Sequence, residues 1–483
     1  MPDFRPIRMI VGVFVALLGV LMILPAIADL IAGSPDWVVF AASSGVCIFV
    51  GGGFWASGRT SEPVTLSLRQ AFLLTALSWI ALAGFASLPF LWSGIGIDFT
   101  RAFFEATSGI TTTGGTVLTG LENLPPGILL WRAILHFYGG IGVVVFAIAV
   151  LPMLRIGGMQ LFRAESSDRS EKIFPAAATI AGSLIGVYLS LNVACAVAYM
   201  LAGMTPFQAL LYGMSTVATG GFAPHDASIG FFQSAAIEWI AIVFMLLGAL
   251  PFALYIHAVR GRPGRFVQSS EARVYLSVIF AAALALWVYV EAEGLQEGAT
   301  AVRQSIFNVV TLITTTGFAT VDYSRWGTFV EILLFGLMLV GGCTGSTAGG
   351  IKPLRFIIAG KTVAQQLRRM VYPNGVFPII FEGHGLSEDV VRSVNSFFIA
   401  YGLAFALVAL SLSATGVDFL TAVSATVANL SNVGPALGQA VGPAGNYFAL
   451  SDSALWVLSA AMLIGRLEIF TILILFLPRF WRP

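Results

Sequence analysis

Asp98 to Gly114 reads DFTRAFFEATSGITTTG, a short half-polar helical pattern that runs directly into three threonines and a glycine. The unit recurs three more times. The loops are Thr111-Thr112-Thr113-Gly114, Val217-Ala218-Thr219-Gly220, Thr314-Thr315-Thr316-Gly317 and Ser431-Asn432-Val433-Gly434, at offsets of 106, 97 and 117 residues. Each follows a short helical segment (Asp98 to Ile110, Thr205 to Thr216, Ala301 to Ile313, Val417 to Leu430) and lies between two long apolar segments. Apolar helices of roughly 10–14 residues are too short to cross a bilayer and read as re-entrant or buried. A fourfold internal repeat of span, short helix, glycine loop and span therefore decides the fold.

The composition agrees with a bilayer as solvent. Over 483 residues, 57% hydrophobic against 10% charged, with a mean hydropathy of +0.89, fits no water-soluble core. The 25 basic and 24 acidic residues nearly cancel, which removes an electrostatic case for nucleic-acid binding. Cys47, Cys195 and Cys343 lie far apart in apolar sequence and imply neither a disulfide framework nor a metal cluster. His136, His225, His257 and His384 have no metal-ligand spacing. No His-Ser or paired-Asp arrangement falls inside the spans, so an enzyme is not expected.

Charge-free stretches mark the spans: Met9 to Ala28, Trp37 to Gly58, Gln70 to Ile97, Ala133 to Leu154, Trp239 to Val259, Val274 to Val290, Ile332 to Ile351 and Ser393 to Val417. Ile173 to His225 is too long for one crossing, and Asp452 to Leu477 is interrupted by Arg466 and Glu468. Arg5 and Arg8 before the first run also fit a secretory leader, but a second apolar segment follows within ten residues. The expected architecture is an all-α polytopic membrane protein: an N-terminal hairpin (1–60) and four repeats (61–158, 159–262, 263–375, 376–483) in pseudo-fourfold arrangement around a pore.

Placing the N-terminus in the cytoplasm puts 20 of the 25 basic residues on the inner side, including those of Arg155 to Lys172, Arg260 to Arg273 and Lys352 to Arg392. All four loops then enter from outside. Only Arg101, Arg132, Arg303 and Arg325 remain there, against a surplus of carboxylates that concentrates cations.

Non-helical backbone at membrane depth survives only where it is buried in protein or lines a water-filled path. Glycine lets successive carbonyls point to one side, and threonine adds a hydroxyl. Four such loops about one axis can replace the water shell of a dehydrated monovalent cation, and the short helices aim partly negative C-terminal ends at it.

The four units and their TTTG, VATG, TTTG and SNVG loops resemble the Trk/Ktr/HKT superfamily of potassium transporters, and the leading hairpin and length resemble its TrkH/TrkG branch. The resemblance implies a filter lined by Thr112, Thr113 and Gly114; Ala218, Thr219 and Gly220; Thr315, Thr316 and Gly317; and Asn432, Val433 and Gly434. It implies potassium (K+) as the transported ion, a bacterial inner-membrane location, a homodimer, and regulation by a cytosolic ring of nucleotide-binding RCK-type subunits. No nucleotide signature occurs in this chain, whose surroundings are lipid. Asn432-Val433 and Pro435 break strict fourfold symmetry.

Between Phe329 and Met370 a helical segment is interrupted by ten small residues, 341–350, among them Gly341, Gly342, Gly345, Gly349 and Gly350. At about 1 kcal/mol per glycine relative to alanine, the helix loses to a loop there. A packing kink is one reading; the resemblance favours a gate beneath the third filter loop. Lys352 follows it directly. Arg466 inside the last span is expected in the permeation path as an electrostatic barrier, the alternative being a structural ion pair. Arg466 and Glu468, two apart on a helix, are expected to have different partners. Lys361, Arg368 and Arg369, or Arg260, Arg262 and Arg265, read as solvated ends that could dock a partner. The alternative function is a proton- or sodium-coupled secondary transporter with a midplane site.

Overall fold

The computed structural model describes residues 4–59, 66–149 and 173–482. The basic segment Arg155 to Lys172 and the boundaries expected at 60/61 and 158/159 lie outside the described residues.

Arg5–Leu21 and Ile23–Ala32 form the first arm of the hairpin and Trp37–Gly58 the second. The arms meet backbone to backbone: a methyl group on Gly12 would lie 2.6 Å from the Gly51 carbonyl. In lipid, such close approach replaces hydrophobic drive as the source of helix association. The hairpin also holds the first repeat. Asp29, buried, accepts from Gly127 N at 2.6 Å and so caps the free amides that begin Pro126–Ala149.

Four repeats follow, each a helix, a short buried helix and a returning helix. The short helices are Phe99–Ile110, Pro206–Val217, Gly298–Ile313 and Phe419–Leu430. Three are started by side-chain caps: Asp98 accepts from Arg101 N, Thr205 from Gln208 N in a capping box, and Asp418 from Thr421 N. Their last turns are fully buried among the longer helices. The chain is thus an all-α polytopic membrane protein whose four span, re-entrant loop and span units surround one axis behind an N-terminal hairpin. Among the described residues, seven helices are long and apolar enough to cross a membrane, or nine if each bent pair counts as one span.

The returning helices depart from the expected spans. In the first repeat, Pro126–Ala149 is continuous. In the second, Ala235–Ala249 stops and Phe252–Val259 leaves at 93°, because Pro251 lacks the amide hydrogen and its ring clashes with the preceding turn. In the third, Thr328–Val340 ends at Gly341 (φ +70°) and helix resumes at Pro353–Val371. In the fourth, Asp452–Arg466 and Phe470–Phe476 meet at 106°, around Glu468 at φ +59°. Trp239 to Val259 and Asp452 to Leu477 are therefore not straight spans. A small antiparallel pairing, Ile380–Phe381 with His384–Gly385, precedes Glu388–Ser413 and has no counterpart in the sequence reading.

Candidate functional site: a ring of four loops over an intramembrane glycine-rich loop

Each short helix ends the same way. Thr111, Ala218, Thr314 and Ser431 are its last, right-handed residues, and Thr112, Thr219, Thr315 and Asn432 follow at φ +52°, +51°, +58° and +57°. The next amides return to the helix: Thr113 N to Ser108 O, Gly220 N to Ser215 O and Thr316 N to Thr311 O at 2.9 Å, and Val433 N to Ala428 O at 2.7 Å. This is a helix-terminating motif that normally uses glycine at the left-handed position. A threonine or asparagine there costs of order 1–3 kcal/mol and persists only where surroundings impose it.

These equivalences correct the register of the second loop by one residue. Ala218 stands with Thr111, Thr314 and Ser431 at the helix end, and the residue matching Gly114 is Gly221, not Gly220. Gly220 takes the place of Thr113, Thr316 and Val433. Sequence alone favoured the Thr-Gly match; the difference is visible only in the backbone angles.

The four loops close a ring. A methyl group on Gly114 would lie 2.1 Å from Gly220 O, on Gly221 2.0 Å from Thr316 O, on Gly317 2.2 Å from Val433 O, and on Gly434 2.5 Å from Thr113 O. Each loop's glycine thus touches the carbonyl of the next, in the order one, two, three, four, one. The contact repeats in one sense, so the loops share an orientation and an axis. All four glycines have φ between +79° and +95°, a region open to them because they have no Cβ.

Behind the ring the first, second and fourth loops are braced by side chains. Buried Glu105 accepts from Thr116 Oγ1 and Val117 N at 3.0 Å and pairs with Arg132 Nε at 2.8 Å. Arg132 also donates to Ala223 O at 2.7 Å, joining the first loop to the second. Tyr447 donates its hydroxyl to Gly434 O at 2.7 Å and its amide to Thr116 O at 2.9 Å, joining the fourth to the first. His136 stacks on Phe222 and bonds Ser215; a methyl on Gly220 would lie 2.3 Å from its ring, which is why the second loop has no side chain there. Thr112 Oγ1 is buried and finds no hydrogen-bond partner among the described residues. Arg132, His225, Asp226 and Tyr447 line the vestibule above. Burial lowers the His225 pKa, against the opposing pull of Glu122 and Asp226. All four arginines of this face, Arg101, Arg132, Arg303 and Arg325, are in ion pairs with carboxylates.

Segment 341–350 sits against the ring from the other side. Cys343 N and Thr347 N donate to Ala249 O and Gly248 O at 2.9 and 3.2 Å, Gly349 N to Thr315 Oγ1 at 2.8 Å, and Gly350 N to Ser431 O at 3.0 Å. Gly341, Gly345 and Gly350 have positive φ, whereas Gly342 and Gly349 are needed for space. On the segment's far flank, Glu271 accepts from Thr344 N and Oγ1 at 2.8 Å and from Leu354 N at 3.3 Å. Arg466 Nη2 donates to Thr347 O at 2.9 Å and pairs with no carboxylate among the described residues. Glu468 instead pairs with Arg355 at 2.5 Å, so the two neighbours have separate partners, as expected. Lys352, at φ +80°, donates to Ala348 O. Of nine non-glycine residues with positive φ among the described residues, six belong to the ring or this layer, which locates the strain at one site.

Glu105, Glu271, Arg355 and Gly221 were not singled out from sequence, and Arg132 was placed only among the basic residues of the outer face. A charged residue inside an apolar repeat was the available signal for Arg132 and Glu105.

Four re-entrant loops closing a single ring inside a spanning helical frame define a polytopic membrane protein of the pore-loop class. Residues 38–482 match the TrkH profile, described as cation transport protein. The Trk system potassium uptake protein TrkH of Vibrio parahaemolyticus is 41% identical over 99% of this chain and 100% of its own, and TrkI of Halomonas elongata is 40% identical over 99% and 97%. The crystal structure of the potassium transporter TrkH from Vibrio parahaemolyticus superposes with a TM-score of 0.92 at 39% identity, covering 100% of both chains. The chain belongs to the TrkH family.

Proposed function

We propose that this chain takes potassium into the bacterial cell across the inner membrane, down its electrochemical gradient, through the ring of four loops. The observation that carries the reading is the closed cycle of glycine-to-carbonyl contacts, because it brings the oxygens of Thr113, Gly220, Thr316 and Val433 to one level about one axis. A dehydrated monovalent cation needs such a set of oxygens to replace its water. The ion-paired arginines of the entry face leave its surplus carboxylates to attract cations. The relatives' names, potassium uptake proteins, supply the ion.

In this reading Thr112, Thr113 and Gly114, Thr219, Gly220 and Gly221, Thr315, Thr316 and Gly317, and Asn432, Val433 and Gly434 form the filter. Ala218 ends its helix and takes no part as a ligand. Segment 341–350 with Lys352 and Arg466 is the gate: Arg466 places a guanidinium beneath the filter and holds the segment through Thr347 O. A charge there repels an arriving cation. The chain acts as a homodimer with its N-terminus in the cytoplasm, and a nucleotide-binding ring of RCK-type subunits docks on the basic inner face to move the gate. The common sense of the four contacts does not suit inverted repeats, which coupled carriers often use.

The test is uptake by the purified chain in liposomes. Rubidium enters along an imposed gradient and sodium more slowly; uptake that requires a proton or sodium gradient contradicts the pore.

A further inference from the structure

The hydrogen bonds between segment 341–350 and the four loops fall on oxygens at or just behind the ring's inner edge. Thr347 Oγ1 donates to Val217 O at 3.0 Å and lies 3.2 Å from Thr219 Oγ1. Gly349 N donates to Thr315 Oγ1 at 2.8 Å and Gly350 N to Ser431 O at 3.0 Å. These oxygens come from repeats two, three and four. In repeat one the corresponding hydroxyl, Thr112 Oγ1, is buried with no partner among the described residues. A buried hydroxyl left this way costs about 1–3 kcal/mol, and at this level it is open to an arriving ion.

We propose that the hydroxyls of Thr112, Thr219 and Thr315, with Ser431 O, form the innermost site for a dehydrated monovalent cation, and that the gate segment and the cation compete for it. The inference rests on the filter reading above. Amide hydrogens carry partial positive charge, and the segment brings two of them, with the Arg466 guanidinium on Thr347 O, to the oxygens the ion needs. A cation at this level is repelled while the segment is seated. Linkage makes the effect reciprocal: whatever weakens ion binding in the seated state is itself unseated by the ion. Potassium thereby favours release of its own gate.

Cys343 lies within the segment and is fully buried, so it reports release. The full chain with Cys47→Ala and Cys195→Ala is reconstituted, and labelling of Cys343 by a small methanethiosulfonate is timed in potassium or in N-methylglucamine at equal ionic strength. At potassium ten times its half-saturating concentration, labelling speeds up by roughly tenfold. Thr347→Val, which removes one contact while sparing the carbonyl that Arg466 holds, shifts this dependence to lower potassium. Thr315→Val labels fast with little ion dependence, and Thr315→Ser restores the dependence. A labelling rate indifferent to potassium, in protein that takes up rubidium, overturns the competition and leaves the pore standing. Protein that takes up no rubidium at all refutes both.

Discussion

The ring and the layer beneath it are made by the same four repeats, yet only the ring keeps their symmetry. Above, four loops share one backbone course, with left-handed residues at matching positions and a glycine contact repeated around the axis. Below, one returning helix runs on, one bends at a proline, one dissolves into 341–350 and one turns at Glu468. Binding a spherical ion rewards equivalent ligands on all sides. A gate needs a piece that moves against pieces that do not, and only unequal repeats provide that. In this lower layer segment 341–350, freed from helical pairing, is held by side chains, Glu271 on one flank and Arg466 on the other.

The comparison breaks most completely at the ring's glycines. Gly221→Ala puts a methyl 2.0 Å from Thr316 O at φ +83° and is expected to abolish rubidium uptake, whereas Ala218→Ser, at a helix end, leaves selectivity intact. Equal damage from both would restore the register read from sequence. Next come the braces. Arg132→Met strands a buried Glu105 carboxylate, a change worth about 3–5 kcal/mol. Thermal unfolding is expected to show that loss, and the surviving protein to admit sodium alongside rubidium. Full discrimination retained would make the pair irrelevant to the filter.

In the lower layer, Arg466→Ala removes a charged hydrogen bond worth about 1.5–3 kcal/mol. Basal rubidium flux rises roughly ten- to a hundredfold by that measure; unchanged or lower flux counts against the barrier. The smallest effect concerns the vestibule. Burial keeps the His225 pKa below its ordinary value, so the folded protein holds it neutral where the unfolded chain begins to take up a proton. Its neutral form therefore adds stability above pH of about 6.5 that declines as pH falls. Uptake stays flat from pH of about 8 to about 6.5, and a step in that interval absent from His225→Gln would contradict this.

Much of the architecture was legible because lipid simplifies the code: charge-free runs gave the spans, and the repeated Thr-Gly signature gave the ring. The short helices read from Asp98, Thr205, Ala301 and Val417 begin within three residues of those positions. The five-glycine run gave the break in the third repeat. What stayed hidden depended on partners far along the chain. Pro251 sits in an apolar stretch that otherwise reads as one span, and the bend after Arg466 accompanies Arg466 and Glu468 taking separate partners, Thr347 and Arg355. The register of the second loop was lost because Gly220 and Gly221 look alike in sequence; the left-handed angles at Thr219 and Gly221 decide between them.

The most direct test of the central claim is an ion map of the full-length protein in rubidium, phased on the anomalous signal of the ion. Density on the axis, level with the carbonyls of Thr113, Gly220, Thr316 and Val433, is the predicted result. Rubidium bound elsewhere in the membrane region, with that level empty, would contradict it.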